Sequence, residues 1–172
     1  VPNGSWGESN AGLIVGNGQS LLVDTLWDAN YTRQMLAAMQ PLTAAAPIRQ
    51  LVNTHADGDH FWGNECLPEV EAITSAAALA EMQHTLPKSV LLLGKVGRIL
   101  NATPIPRWRA VGHWMKRMVA PYAFAEVQHT PARRSFSGTY TLEVGGRTVK
   151  LLEVGPAHTA GDLIVYLPDC GI

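Results

Sequence analysis

Apolar and polar positions fall into short blocks along the chain, and each block predicts an element. Leu13-Ile14-Val15 and Leu21-Leu22-Val23 flank Gly16-Asn17-Gly18, which predicts a β-hairpin over Asn10 to Asp24. Asp28 is placed to cap a helix running to about Met39, because Tyr31, Met35 and Met39 recur every four residues on one face. Pro41 and Pro47 bracket an expected loop, and Ile48 to Val52 reads as a short buried strand that turns polar at Asn53. Ser75 is placed to cap a helix from Ala76 to about His84. From Pro87 to Pro121 the text is helical and rich in Leu, Trp and Met, interrupted at Pro104 and Pro106. A second hairpin is expected over Tyr140 to Val154 about Gly145-Gly146, then a strand over Leu163 to Leu167 stopped by Pro168-Asp169. Strands and helices alternate, with a hairpin near each end, which is the pattern of an α/β layered domain with a mixed sheet.

Length and composition narrow the class. The chain has 172 residues, 47% of them apolar and 16% charged, which fits one folded domain and excludes a disordered one. The net charge of -1 leaves no whole-chain footprint for nucleic acid or an anionic membrane. Arg107-Trp108-Arg109 and Arg133-Arg134 read as solvated surface, and no apolar run approaches the roughly 18 residues of a membrane span. Two cysteines, Cys66 and Cys170, make no disulfide framework, so a reducing cytoplasm is the expectation. A leader removed ahead of Val1 stays open.

The candidate chemistry is concentrated after the strand at Ile48 to Val52. His55, Asp57, Asp59 and His60 fall within six residues, where a rigid element can deliver them into a cleft. Imidazole with carboxylate suits a borderline divalent cation such as zinc, whereas magnesium and calcium favour all-oxygen sites. Gly58 and Gly63 are read as letting the backbone fold tightly around a central ion. His158 lies among small residues in Gly155-Pro156-Ala157-His158-Thr159-Ala160-Gly161-Asp162, between two predicted strands. Cys66 reads as a small buried hydrophobe, and His84, His113 and His129 as ordinary histidines. Trp62 is placed either to line the cleft or to pack under the loop.

The segment His55-Ala56-Asp57-Gly58-Asp59-His60 resembles the His-x-His-x-Asp-His mark of the metallo-β-lactamase superfamily. Leu22-Val23-Asp24-Thr25, Asn53-Thr54, Gly63-Asn64 and the segment around His158 also look like that family. The resemblance implies an α/β fold, an αβ/βα sandwich with most of its second half absent from this chain. It implies one partial domain over 1–172 with a helical insertion at about 85–135. By the same resemblance His55 and His158 would hold a first metal, and Asp59 and His60 a second, with Asp59 also orienting the attacking water. Zinc, as one or two ions, is expected ahead of iron or manganese, and lowers the pKa of bound water to about 7. The implied activity is hydrolysis of a small molecule carrying an ester, thioester, lactone or amide, a β-lactam among them, and association between copies is allowed.

Two departures qualify this. Asp57 stands where the motif has its second histidine; a carboxylate still ligates zinc at about 2.0–2.2 Å, but its negative charge makes bound water less acidic. The chain also ends before the segments that carry the family's bridging aspartate and last histidine. A catalytically impaired metal-binding homologue or an inactive fragment is therefore the alternative, and a flavin-linked oxidoreductase with a di-iron site is a third class. The helical stretch containing Leu91, Leu92, Trp108 and Trp114 reads equally as a lid over an apolar substrate or as plain helix packing.

Overall fold

Strand pairing sorts the chain into two sheets in the computed structural model, which describes residues 9–172. In the first, β1 (Gly12–Val15) pairs antiparallel with β2 (Ser20–Val23) as a hairpin. Then β3 (Ile48–Val52), β4 (Ala72–Ser75) and β5 (Arg134–Phe136) follow in parallel, in the order β1-β2-β3-β4-β5. The second sheet is the antiparallel meander β6 (Thr139–Val144), β7 (Arg147–Glu153) and β8 (Leu163–Tyr166). The structure is thus the mixed α/β arrangement that the resemblance implied.

Side-chain alternation along the strands decides which face meets what. Leu22, Leu51 and Ala72 point to the helical side, where they pack with Phe61, Trp62, Ala78, Met82 and Phe124. Their neighbours Leu21, Val52 and Ile73 point the other way, onto Leu142, Val144, Val149 and Leu151 of the second sheet. Helices, first sheet and second sheet therefore stack as three layers. At about 25 cal/mol per Å², burial of such side chains is the main favourable term holding the layers together.

The helical layer begins with α1 (Ala29–Thr43), whose first turn is closed by the Asp28 carboxylate accepting from the Tyr31 N–H at 2.8 Å. Pro41 does not open a loop as the sequence pattern indicates. It lies in the last turns of α1, and the ladder continues past it with the Ala44 N–H donating to the Gln40 carbonyl. The motif runs into α2 (Gly58–Phe61), and a 3-10 turn over Trp62–Cys66 follows it. Ser75 caps α3 (Ala76–Met82) as expected. The proline-punctuated stretch resolves into α4 (Lys88–Asn101) and α5 (Pro106–Val119), with Pro106 in the first turn, where its missing N–H costs nothing.

Candidate metal centre

Two loops at the strand ends meet here, and buried polar groups fix both. The first follows β3. The Asn53 amide, fully buried, donates to the His60 carbonyl at 2.8 Å and to Asn64 Oδ1 at 3.1 Å, while Asn64 returns a bond to Asn53 at 2.9 Å. Thr25 adds its N–H to the same His60 carbonyl. The second loop, between β7 and β8, is folded on the Asp162 carboxylate, which accepts from the N–H groups of Ala157 and Thr159. Ser75 joins this loop to the helical layer: its hydroxyl donates to the Gly161 carbonyl at 2.7 Å and accepts from the Ala78 N–H. The Leu163 N–H then donates to the Thr54 carbonyl, tying one loop to the other.

That scaffold brings three expected ligands together. The ligand atoms of His55, Asp57 and His158 all lie within 4.8 Å of one another. Asp57 is the hub, its Oδ2 at 2.8 Å from His158 Nε2 and 3.7 Å from His55 Nε2. The carboxylate occupies the N-cap position of α2 yet makes no cap bond. An aspartate there ordinarily satisfies the first helical N–H groups, so Asp57 has been turned away from that role into the cluster. Hydrogen bonding from His55, with the charge of both histidines, outweighs burial and holds the Asp57 carboxyl down at about 2. The carboxyl is therefore ionised throughout the neutral range.

The tautomer of His55 follows from its neighbours. Asp24 is buried, and its carboxylate accepts the Thr54 N–H and the Thr54 hydroxyl, each at 2.7 Å. With its one proton given to Asp24, the Thr54 hydroxyl is an acceptor for His55 Nδ1–H at 2.9 Å. Nδ1 thus carries a proton, which leaves Nε2, the atom that faces Asp57, as the nitrogen able to bind a metal once it gives up its own proton. Such outer hydrogen bonds orient the inner ligands of a metal site and raise their basicity.

His60 and Asp59 lie beside this cluster and form a pair of their own. The His60 ring sits 4.0 Å from that of His55, centroid to centroid. Its Nδ1–H donates to Asp24 at 2.8 Å, and its Nε2 faces Asp59 at 3.4 Å. Burial opposes charge on this imidazole, but hydrogen bonds and charge from Asp24 and Asp59 hold its pKa up at about 10. The metal-free protein therefore keeps His60 as an imidazolium between two carboxylates, and a ligand role requires it to lose a proton.

The donor set fits a divalent ion of zinc's kind. Tetrahedral coordination at about 2.0–2.2 Å sets ligand atoms roughly 3.3–3.5 Å apart. The 2.8 and 3.7 Å separations around Asp57 bracket that spacing. Two imidazoles and one carboxylate would leave a tetrahedral ion one position for water or substrate, and the cluster borders a cleft of about 630 Å³ lined by Asp57, Glu81, His84, Thr85, His158 and Thr159.

The family model described as the metallo-beta-lactamase superfamily matches residues 4–172. The chain belongs to that superfamily. Solved structures of similar fold include the metallo-beta-lactamase from Pontibacter korlensis, with TM-score 0.57 and 19% identity over 91% of this chain and 54% of that one. FIM-1 from Pseudomonas aeruginosa, in its mono-zinc form, matches with TM-score 0.57 and 19% identity, over 91% of this chain and 52% of that one. The inverting sec-alkylsulfatase Pisa1 from Pseudomonas sp. matches with TM-score 0.60 and 19% identity, over 93% of this chain and 27% of that one. No curated protein matches the chain by sequence. The chain spans about half the length of the metallo-beta-lactamases it resembles.

Within this superfamily chain, several sequence expectations change. Gly58 and Gly63 are not there to curve the backbone about an ion, since neither has a positive φ. A Cβ on Gly58 would meet the Trp62 ring at 2.4 Å, and one on Gly63 would meet the Thr32 hydroxyl at 1.9 Å, so close packing demands both. Trp62 is buried under the loop and does not line the cleft. His84, read as an ordinary histidine, lines the cleft with Asp57 and His158. Cys66 stands outside the cluster, its thiol pKa raised chiefly by burial. His129 packs against Phe61, and burial keeps its pKa below the ordinary value. Motif spacing does not single out Asp24; its signal is a carboxylate directly after an apolar strand, where nothing local needs one.

Proposed function

We propose that this chain carries the metal site of a hydrolase, with zinc as the ion and an ester, thioester, lactone or amide of a small molecule as substrate. The observation that carries this reading is the convergence of His55, Asp57 and His158 on one point from two loops about a hundred residues apart. A divalent ion held there would lower the pKa of water and polarise a carbonyl, the chemistry hydrolysis needs at neutral pH. The chain's own residues do the rest. His55 offers Nε2 because Asp24 and Thr54 fix its tautomer. Asp57 supplies anionic charge that would offset part of the ion's own and so moderate the acidity of water there. Asp59, whose carboxylate faces His60 Nε2 at 3.4 Å, would orient the attacking water.

Bound metal per chain tests this directly, by elemental analysis of protein purified without added metal or chelator. About one equivalent of zinc, lost in His55→Ala and in His158→Ala, is the expected result. Metal content unchanged in both variants overturns the assignment. Asp57, in place of a histidine, favours the second reading, a metal-binding homologue of reduced activity. Metal retained with no hydrolysis of any ester, thioester, lactone or amide would select it.

A further inference from the structure

Charge is strongly segregated along the chain. Between Met82 and Ala125 lie seven of the thirteen basic residues and none of the fourteen acidic ones, so the overall charge of -1 averages a basic hairpin with an acidic body. The expectation of no membrane partner rested on that average. The same stretch holds most of the large hydrophobic side chains that the described residues expose, among them Leu92, Val96, Ile99, Ile105, Trp108 and Trp114.

Helix packing accounts for only one side of α4. Its inner side meets α5 through glycines: a Cβ on Gly97 would come within 2.8 Å of Met115, and one on Gly112 within 2.2 Å of the Asn101 backbone. Val90 and Val119 seat the pair on the main core. The opposite side of α4 carries Leu92, Val96 and Ile99 at helical spacing, with Leu92 60% and Ile99 69% exposed. Lys88 and Lys95 are exposed on that same face. On α5, the exposed Trp108 and Trp114 alternate with Arg107, Arg109, Lys116 and Arg117. An apolar stripe flanked by lysines, beside tryptophans set among arginines, is the make-up of a helix that lies in a membrane interface.

We propose that the α4–α5 hairpin docks on an anionic phospholipid surface. Leu92, Val96 and Ile99 enter the boundary between headgroups and acyl chains, while the lysine and arginine heads reach lipid phosphates. No helix among the described residues is long and apolar enough to cross a membrane, so the contact lies along the surface. Charge complementarity selects the partner's sign, and shape selects its class. The stripe is the convex outer face of a helix, to which fluid lipid conforms, whereas a folded acidic protein would need a matching hollow.

Co-sedimentation of the purified protein with vesicles tests this. Vesicles of phosphatidylcholine with about a third phosphatidylserine are expected to bind it, and phosphatidylcholine alone to bind it about tenfold less. Raising salt from about 0.1 M to about 1 M shortens the Debye length from about 10 Å to about 3 Å and should release it. Leu92→Glu with Ile99→Glu, and separately Lys88→Glu with Lys95→Glu, should each lower partitioning about tenfold or more. All four positions are exposed, so far-ultraviolet circular dichroism should not change; the salt series on the unaltered protein stands even if one variant misfolds. Absence of binding, equal binding to both vesicle types, or binding indifferent to both double variants overturns the proposal. So does a dimer that Leu92→Glu with Ile99→Glu disperses while vesicle binding is absent, which would give this face to a second copy of the chain.

Discussion

The Asp24 carboxylate and the His60 imidazole, thirty-six positions apart in the chain, meet at 2.8 Å beside the candidate ligand cluster. Asp24 sits at φ 63, a left-handed conformation that leaves it between the backbone of Thr54 and the ring of His60. One buried carboxylate therefore sets the Thr54 hydroxyl, through it the His55 tautomer, and the protonation of His60.

Asp24→Asn isolates that role, because asparagine tolerates the same φ and keeps the shape. In the metal-free protein, the His60 titration followed by NMR is expected to fall from about 10 toward 6.5. Metal affinity should fall about 10–100-fold, the usual cost of losing an outer partner of a ligand. A His60 titration that does not move would remove Asp24 from this position in the network.

The pH dependence of the metal-free protein follows from the same groups. The His60 pKa is raised by folding, so its contribution is complete below about 6.5 and is lost as pH rises toward 10. The Asp57 pKa is lowered, so its contribution is complete above 3.8 and is lost as pH falls toward 2. These two groups together favour stability most between those limits, and thermal unfolding midpoints should decline on the alkaline side. His60→Asn should flatten the alkaline decline; an unchanged slope would show that other groups set it.

Substitution at Asp57 separates ligation from packing. With its side chain 46% exposed, Asp57→Ala should leave the fold intact while metal affinity drops by more than the roughly 10–100-fold that loss of an outer partner costs, as isothermal titration with zinc would report. Asp57→His restores a third imidazole and removes a negative charge, so hydrolytic turnover should rise where the unaltered protein is slow. Equal zinc affinity in Asp57→Ala and the unaltered protein would place Asp57 outside the ligand set.

The glycine contact between α4 and α5 has a cost that can be read locally. A Cβ on Gly112 meets backbone atoms of Asn101 and Gly97, which cannot rotate away. Gly112→Ala should destabilise the hairpin by about 1–3 kcal/mol, seen as faster amide exchange in α4 and α5 with zinc content unchanged. Exchange unaffected in both helices would mean that they part without resistance.

Local signals carried much of this protein in its sequence. The hairpins about Gly16-Asn17-Gly18 and Gly145-Gly146, the caps Asp28 and Ser75, and the break at Pro106 are nearest-neighbour chemistry, and the fold keeps each where the pattern put it. The density of ligating groups from His55 to His60 likewise singled out a candidate centre, of which the fold gathers His55 and Asp57 with His158. Strands β4 and β5 were not legible, since four buried residues and three largely exposed ones lack a period; they exist because β3 offers an edge to β4, and β4 in turn offers one to β5. Nor could spacing tell that Asp57 turns from its helix to His158, 101 positions away, or that His60 is locked between Asp24 and Asp59. The sequence determined which side chains could bind a metal and which segments would be helix or hairpin. Only the tertiary structure decided which of them converge, because convergence depends on how two loops are tied across the sheet by buried hydrogen bonds, and those partners lie far apart in the chain.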